Sequence, residues 1–226
     1  MGIDSLWPYE PPLPALTLDS THLNSHYDAA SVTATELAEK LRCHGYAVCD
    51  DLLPLPLREA MALEIRAIGR EPFQRGGIGR RQQLNEAIRR DQILWLTDQL
   101  PAAREYLRWL EGLRQQLNRE LLLGVFDFEG HYAYYPPSAF YAKHFDAFQN
   151  SDRHRILTVI TYLNRNWQPE EGGELILYDQ NDKPLLTVLP ESGRQVLFLS
   201  EEFAHEVRPA QRYRYSATGW FRVNQN

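Results

Sequence analysis

The second half of the chain changes character at Phe126. From there on, short runs rich in Val, Ile, Leu, Thr, Tyr and Phe alternate with Pro, Gly, Asn and Asp, which is typical of short strands joined by turns. Helical apolar spacing before it and seven or eight strands after it predict an α+β fold, with helices packed on an antiparallel barrel or jelly roll. The strands are expected at residues 127–136, 139–146, 155–163, 173–178, 185–189, 194–199 and 213–223.

The first 125 residues are predicted to support that core within one domain, residues 1–226. Residues 1–30 contain a cluster of prolines and are expected to form an extended arm. Residues 31–125 are expected to be mainly helical, and residues 126–226 to form the core. Short strands are predicted at 46–49 and 93–95. The first helix is predicted to start at the capping box Thr33–Glu36 and to end at Gly45. The second is predicted to start near Pro56 and to end at Gly69. Thr97 and Asp98 are predicted to cap the third.

Residues 70–90 form an arginine- and glycine-rich segment inside an acidic chain. Six arginines lie there against two glutamates, and three glycines lie between residues 76 and 79. This composition predicts a flexible loop with local positive charge. Two interpretations stay open at this point: an ordinary solvated loop, or a mobile arm that closes over a partner.

Charge and composition exclude several function classes. A net charge of -6 argues against general affinity for nucleic acid or anionic membranes. No apolar stretch approaches about 18 residues, so no membrane span is expected, and the N-terminus lacks the pattern of a signal peptide. The two cysteines, Cys43 and Cys49, do not suggest a disulfide framework. We therefore expect a cytoplasmic protein.

A His-x-Asp pair and a distant second histidine suggest a metal site. His144 and Asp146 are expected to end a strand, where residues i and i+2 point to the same face and can reach one metal ion. His205 follows a later apolar strand. A second pair, His26 and Asp28, lacks a strand pattern and is predicted to be incidental. The histidines outside these motifs are also predicted to be incidental: His22, His44, His131 and His154.

Arg214 lies nine residues beyond His205 and opens the last predicted strand. Most arginines are surface charges. By period-two alternation, however, Arg214 shares a face with Ser216, Thr218 and Trp220, and such a polar face would be costly to bury without a polar ligand. A small dicarboxylate would satisfy it, because a guanidinium group binds a carboxylate through two parallel hydrogen bonds.

These motifs together resemble the 2-oxoglutarate and Fe(II)-dependent oxygenases. Within that family the chain is similar to the prolyl hydroxylase-domain enzymes that sense oxygen in animals, and to their bacterial relatives. The resemblance runs from about residue 85 to residue 223. Its specific segments are Arg89–Trp95, His144-x-Asp146, Tyr162–Asn164 with Trp167, Gly172–Leu175, His205–Val207 and Arg214.

The resemblance implies a double-stranded β-helix (jelly-roll) core that uses Fe(II), 2-oxoglutarate and O2, with ascorbate as a stimulant. His144, Asp146 and His205 would be the Fe(II) ligands and the catalytic centre. The remaining residues would hold 2-oxoglutarate: Arg214 with Tyr162 at its 5-carboxylate, Tyr135 near its metal-bound end, Thr218 along the pocket, and Trp220 as a wall.

The resemblance also implies a protein substrate with a target proline, converted to hydroxyproline with release of succinate and CO2. Residues 70–86 would clasp that substrate. The bacterial branch includes an enzyme, similar to this chain in size and N-terminal layout, that hydroxylates a proline in the switch region of elongation factor Tu. That protein is the first candidate substrate. The residues expected to contact or position the substrate are Arg75, Arg80, Arg89, Asp91 and Trp95.

Three other functions stay open on the residues alone. An oxygenase of the same fold could act on another residue type, a small molecule or a nucleobase. A non-catalytic jelly-roll binding module would be expected to lack a metal ligand or the arginine, and none is missing here. A zinc or manganese cupin would usually carry more histidine ligands and lack Arg214 at this spacing.

Overall fold

The computed structural model describes residues 29–77, 87–147 and 154–224. The predicted arm at residues 1–30 falls almost entirely outside these ranges, as do the His26 and Asp28 pair, His22 and Arg80. Within the described ranges no helix is long and apolar enough to cross a membrane. Cys43 and Cys49 are both free thiols. The cytoplasmic location stays a prediction.

The described ranges contain three α-helices, one short 3-10 helix (Pro169–Glu171) and eleven strands. The α-helices are α1 (Ala29–His44), α2 (Leu55–Ala67) and α3 (Pro101–Leu121). The strands are β1 (Tyr46–Cys49), β2 (Gln74–Arg75), β3 (Gln92–Trp95), β4 (Asp127–Tyr135), β5 (Tyr141–His144), β6 (Arg155–Tyr162), β7 (Leu175–Tyr178), β8 (Pro184–Val188), β9 (Gln195–Leu199), β10 (His205–Val207) and β11 (Arg214–Arg222).

Two antiparallel sheets form the core and confirm the predicted α+β jelly roll. The major sheet has seven strands in the order β1-β9-β6-β11-β4-β3-β2, and the minor sheet has four in the order β5-β10-β7-β8. Strands from the helical half of the chain complete both edges of the major sheet. The site described below lies between the two sheets.

The two faces of the major sheet follow the period-two alternation of its strands. On β4, Tyr132 and Tyr134 pack into the cluster that contains the helices, while Ala133 and Tyr135 face the minor sheet. The helices bury their apolar stripes against the outer face, which leaves the inner face for the functional site. The buried helix residues include Leu37, Leu41, Met61, Ile65, Leu110 and Leu117.

Two predicted helix starts are wrong. Helix α1 begins at Ala29, about one turn before the predicted box at Thr33, because two alanines there favour helix continuation. Helix α3 begins at Pro101 with Leu100 as N-cap and no side-chain cap, so Thr97 and Asp98 do not cap it.

A carboxylate from another helix supplies the missing cap of α3. Glu64 of α2 accepts hydrogen bonds from the backbone N–H groups of Ala102 (2.7 Å) and Ala103 (2.9 Å). The Tyr132 hydroxyl donates to the same carboxylate at 2.9 Å. The first turn of a helix favours negative charge and needs acceptors for its free N–H groups. Glu64 therefore joins α2, α3 and β4.

Replacing Glu64 with alanine is expected to lower the free energy of unfolding by about 2–3 kcal/mol, because three donors lose their acceptor. Urea unfolding followed by circular dichroism measures this change. The control is Glu111→Ala, since Glu111 pairs with Arg114 on an exposed helix face and should change stability by less than about 1 kcal/mol. Equal losses in the two variants would contradict the capping role.

Candidate active site

Three side chains that could hold a metal ion, His144, Asp146 and His205, converge between the two sheets. His144 ends β5 and His205 begins β10, and the two residues lie opposite each other in the pairing of these strands. The Nε2 atoms of His144 and His205 each lie 3.6 Å from a carboxylate oxygen of Asp146. One ligand atom from each of the three residues lies within 4.8 Å of the others. The fold thus brings together the three residues that the resemblance implied as ligands.

Asp146 is held differently from the sequence-based expectation. The predicted strand 139–146 is shorter in the structure, and Asp146 follows the end of β5. Its Oδ2 accepts a hydrogen bond from Thr158 Oγ1 at 2.8 Å, and Thr158 in turn contacts Ser200 Oγ at 2.9 Å. A buried hydroxyl on β6 therefore orients the carboxylate. The sequence reasoning missed Thr158, although alternation places it on the same face of β6 as Tyr162.

Both imidazoles present Nε2 to the centre because their other nitrogen is engaged. His144 Nδ1 lies 2.8 Å from the carbonyl oxygen of Ala142, and His205 Nδ1 lies 3.3 Å from that of Phe203. A carbonyl oxygen only accepts, so each Nδ1 carries the proton and each Nε2 keeps its lone pair. Hydrogen bonds of this kind commonly orient metal-binding histidines.

The protonation states also suit a metal centre. Burial lowers the pKa of the His205 imidazole to about 4, against the opposing effect of the nearby Asp146 carboxylate. Burial would raise the pKa of Asp146, but the imidazoles of His205 and His144 and nearby hydrogen-bond donors hold it below its usual range. A neutral imidazole and an ionised carboxylate are the ligand forms that bind a divalent metal.

Arg214 lies buried in the same cavity. Its side chain is among the largest fully buried ones, and its Nε donates to the carbonyl oxygen of Gly173 at 2.8 Å. The guanidinium carbon lies 5.0 Å from the ring centroids of both Tyr135 and Tyr162. No carboxylate within the described ranges pairs with it, and the buried Tyr162 hydroxyl has no hydrogen-bond partner there. A buried cation beside an unsatisfied hydroxyl is suited to an anionic ligand.

One cavity of about 380 Å³ joins the His144, Asp146 and His205 triad to Arg214. Ser216, Thr218 and Trp220 line it together with Arg214, so the predicted face of the last strand is the inner face of β11. This volume lies within the range of small-molecule sites in proteins. The cavity can therefore hold a compact dicarboxylate between the triad and the guanidinium group.

Aromatic side chains surround the mouth of the cavity. Trp95 on β3 is 39% exposed and Phe145, between His144 and Asp146, is 38% exposed, and both line the cavity. The guanidinium group of Arg155 stacks on Trp220 at 3.5 Å from its ring centroid. Exposed aromatic groups at the rim of a cavity are typical of binding surfaces.

Arg89 and Asp91, two of the predicted substrate residues, form a buried ion pair with each other. Arg89 Nε donates to Asp91 Oδ1 at 2.7 Å, and a second Arg89 nitrogen donates to the carbonyl oxygen of Gly77 at 2.8 Å. The guanidinium group also lies over the Tyr141 ring (4.3 Å), which stacks on His144 with ring centroids 3.6 Å apart. These contacts connect Gly77, in the arginine- and glycine-rich segment, to His144 of the triad.

Of the predicted substrate residues Arg75 and Arg80, the structure describes only Arg75. Arg75 lies on β2 with an exposed side chain, and Arg80 lies outside the described ranges. Substrate contact by these residues stays a prediction, as it does for Arg89 and Asp91.

His131, which the sequence analysis treated as incidental, lies within β4 and lines the cavity. Tyr141 and Arg155 are further cavity residues that the motif search missed. Alternation along β4 could have indicated His131, since it shares a face with Tyr135. Nothing local in the sequence marks Tyr141 or Arg155.

The residues fit the groups that the resemblance implied. Two imidazole nitrogens and one carboxylate, gathered at the wall of a cavity, are the donor set that non-haem Fe(II) oxygenases use. Arg214 has no carboxylate partner among the described side chains, and the Tyr162 hydroxyl is unsatisfied there. Both groups fit the distal carboxylate of 2-oxoglutarate. His144, Asp146 and His205 would hold the metal, and Arg214 with Tyr162 the co-substrate.

Comparisons with known proteins identify the family of this chain. A sequence profile of the 2OG-Fe(II) oxygenase superfamily matches residues 130–222. A prolyl-4-hydroxylase from Pseudomonas putida is 39% identical, with a TM-score of 0.77, and the match covers 85% of this chain and 100% of that chain. A Trichoplax adhaerens prolyl hydroxylase, solved with a hypoxia inducible factor peptide fragment, is 25% identical with a TM-score of 0.77, covering 91% of this chain and 94% of that chain.

Among curated proteins, Egl nine homolog 1 from Mus musculus is 30% identical over 189 residues, which are 79% of this chain and 46% of the relative. The chain thus spans about half the length of the Egl nine homolog 1 relatives that it matches. The expected resemblance is confirmed by the sequence profile, by the solved structures and by these relatives together. The chain belongs to the 2OG-Fe(II) oxygenase superfamily, and within it to the group of the prolyl hydroxylases.

Proposed function

We propose that this chain is a 2-oxoglutarate- and O2-dependent prolyl 4-hydroxylase that acts on a protein substrate. When bound, Fe(II) and 2-oxoglutarate supply the oxidising chemistry that adds one oxygen atom to a prolyl C–H bond and leaves succinate and CO2. The observation that carries the proposal is the placement of the His144, Asp146 and His205 triad and of buried Arg214 in one cavity. The relation to solved prolyl hydroxylases supports the choice of proline.

Different residues of this chain would bind the co-substrate and orient the triad. Arg214 and the Tyr162 hydroxyl would bind the distal carboxylate of the co-substrate and so fix its distance from the triad. Thr158 holds the Asp146 carboxylate, and backbone carbonyls hold both imidazole rings. Because these contacts hold the side chains in place, the co-substrate and the substrate would meet in a fixed geometry.

The mouth of the cavity suits a residue presented by another chain. Trp95 and Phe145 offer exposed aromatic surface beside the triad, and Trp220 forms an inner wall. A proline ring is compact and apolar, and aromatic faces bury it without demanding a hydrogen bond. The arginine- and glycine-rich segment would meet acidic groups of the partner surface.

We propose elongation factor Tu as the substrate. Stimulation by ascorbate stays a prediction.

The direct test is oxidation of the substrate. The protein is incubated in air with Fe(II), 2-oxoglutarate and purified elongation factor Tu, and peptide mass mapping follows. A gain of one oxygen atom on a prolyl residue, matched by an equal amount of succinate, is the expected result. If another protein or a small molecule stimulates succinate formation and elongation factor Tu does not, elongation factor Tu is not the substrate. Oxidation at a residue other than proline would contradict prolyl hydroxylation.

Replacing Trp95 with alanine is expected to raise the KM for the protein substrate by about tenfold or more, because a large aromatic contact is lost at the mouth. The slow formation of succinate without substrate should stay the same, since Trp95 is not part of the triad or the Arg214 end. Phe126→Ala is the matched control, because Phe126 is 58% exposed and lies outside the cavity lining. A similar KM in both variants would argue against a substrate surface at Trp95.

A further inference from the structure

His131 is a polar side chain in the cavity wall that the roles described so far do not use. Only 5% of the residue is exposed, and it lines the cavity together with the triad. It lies on β4, opposite Trp95 of β3 on one side and Thr218 of β11 on the other. Its position is therefore between the exposed mouth and the inner wall.

The hydrogen bonds of His131 determine which nitrogen carries a proton. Nδ1 lies 2.9 Å from the backbone carbonyl oxygen of Thr218. Because that oxygen only accepts, Nδ1 must donate, and in the neutral ring Nε2 is then an unprotonated acceptor. Among the contacts of the described side chains none engages Nε2. The ring thus brings one free acceptor into the lining of the cavity.

The surroundings keep this ring neutral and fixed. Burial lowers the pKa of His131 to about 4; the nearby carboxylates of Asp91 and Asp146 oppose the effect, while Arg89 and Arg155 add to it. The ring lies between two tryptophans, with centroid distances of 5.5 Å to Trp95 and 5.7 Å to Trp220. At neutral pH the ring is therefore uncharged, and Nε2 presents a lone pair in a fixed direction.

We propose that His131 is a specificity-determining residue whose Nε2 accepts a hydrogen bond from a backbone N–H that flanks the target proline of the peptide substrate. The inference rests on the proposed function. A prolyl residue in a peptide has no N–H of its own, so the donor must come from a neighbouring residue. A buried acceptor left unpaired disfavours ligands that lack a donor at that position.

Two substitutions separate this role from a structural one. In His131→Asn the amide can still donate to the Thr218 carbonyl, as Nδ1 does, but nothing remains at the position of Nε2. In His131→Gln the longer amide can place its oxygen near the position of Nε2 but loses the bond to Thr218. A structural role predicts that the Gln variant is the more damaged. The substrate role predicts the reverse order for peptide affinity.

The experiment measures peptide affinity by calorimetry under argon, on the full chain with Fe(II) and 2-oxoglutarate present. The probes are a synthetic peptide of the elongation factor Tu switch region and versions that are N-methylated at the residue before or after the target proline. For the wild type, one methylation should weaken binding by roughly three- to tenfold, the contribution of a single hydrogen bond. The Gln variant should respond in the same way, and the Asn variant should bind all of the peptides equally weakly.

The outcomes that overturn the inference differ from the one that overturns the proposed substrate. If the wild type binds the peptides but methylation weakens the Asn variant as much as the wild type, His131 does not accept that bond and the inference is overturned alone. If neither methylation affects the wild type, the inference is also overturned, while the proposed function stands. If the wild type binds none of the peptides, the proposed substrate is wrong and the role of His131 falls with it.

Discussion

Replacing Arg214 with methionine is expected to weaken 2-oxoglutarate binding by at least about thirtyfold and, at the same time, to raise the stability of the protein without its co-substrate. Loss of one partner from a buried charge pair typically costs about 2–5 kcal/mol of binding. In the absence of ligand, however, the guanidinium group is buried without a carboxylate partner in the described part of the chain. An apolar side chain of similar length removes that unfavourable burial, which is worth about 1–3 kcal/mol.

The two effects are measured separately on the same samples. Calorimetric titration gives the Kd of 2-oxoglutarate, and thermal unfolding with and without 2-oxoglutarate gives stability. Addition of 2-oxoglutarate should raise the melting temperature of the wild type and leave that of Arg214→Met unchanged, because only a bound ligand stabilises the folded state.

The matched control for this variant is Arg222→Met. Arg222 lies at the other end of β11, where it pairs with Asp127 and Glu129 and is partly exposed. Loss of these pairs should lower stability slightly and leave the Kd of 2-oxoglutarate unchanged. If the affinity for 2-oxoglutarate fell equally in both variants, Arg214 would not be the carboxylate-binding residue.

Replacing His205 with alanine is expected to abolish Fe(II)-dependent succinate formation and to weaken Fe(II) binding by more than about a hundredfold. Even residues that only orient a metal ligand commonly contribute 10- to 100-fold to metal affinity, and His205 is a ligand in this account. The fold should remain, because β10 still pairs with β5 and β7 through its backbone. Fe(II) titration and succinate assays measure the loss, with circular dichroism as the test of folding.

His154→Ala is the matched control for that variant. His154 lines the same cavity but does not belong to the group of three side chains that could hold a metal. It should keep Fe(II) affinity within a few fold of the wild type. Near-normal turnover in His205→Ala would show that the ligand assignment is wrong.

The sequence predicted the strands and the site well where the information was local. Alternation along β11 placed Arg214 on the same face as Ser216 and Thr218, and the structure puts all three in the cavity lining. The regular apolar spacing of α3 predicted its length to within a turn. Such patterns arise from backbone periodicity, which a single segment of sequence records by itself.

What the sequence did not predict depends on contacts between distant segments. Helix α3 is capped by Glu64, which lies 38 residues before Ala102. Strand β10 has three residues, too few for an alternating pattern, and exists because it pairs with both β5 and β7. The proton position on His131 depends on the Thr218 carbonyl across the sheet. None of these partners can be identified from residues adjacent in the sequence.

The central claim is that Fe(II) and 2-oxoglutarate bind together at the triad and Arg214. The measurement that tests it most directly is the visible charge-transfer absorption of the protein after anaerobic addition of Fe(II) and 2-oxoglutarate. The expected result is a band that saturates at one equivalent of each in the wild type and in His154→Ala, and that is absent in His205→Ala and Arg214→Met at the same concentrations. A wild type without the band, or a band of full intensity in His205→Ala, would contradict the account.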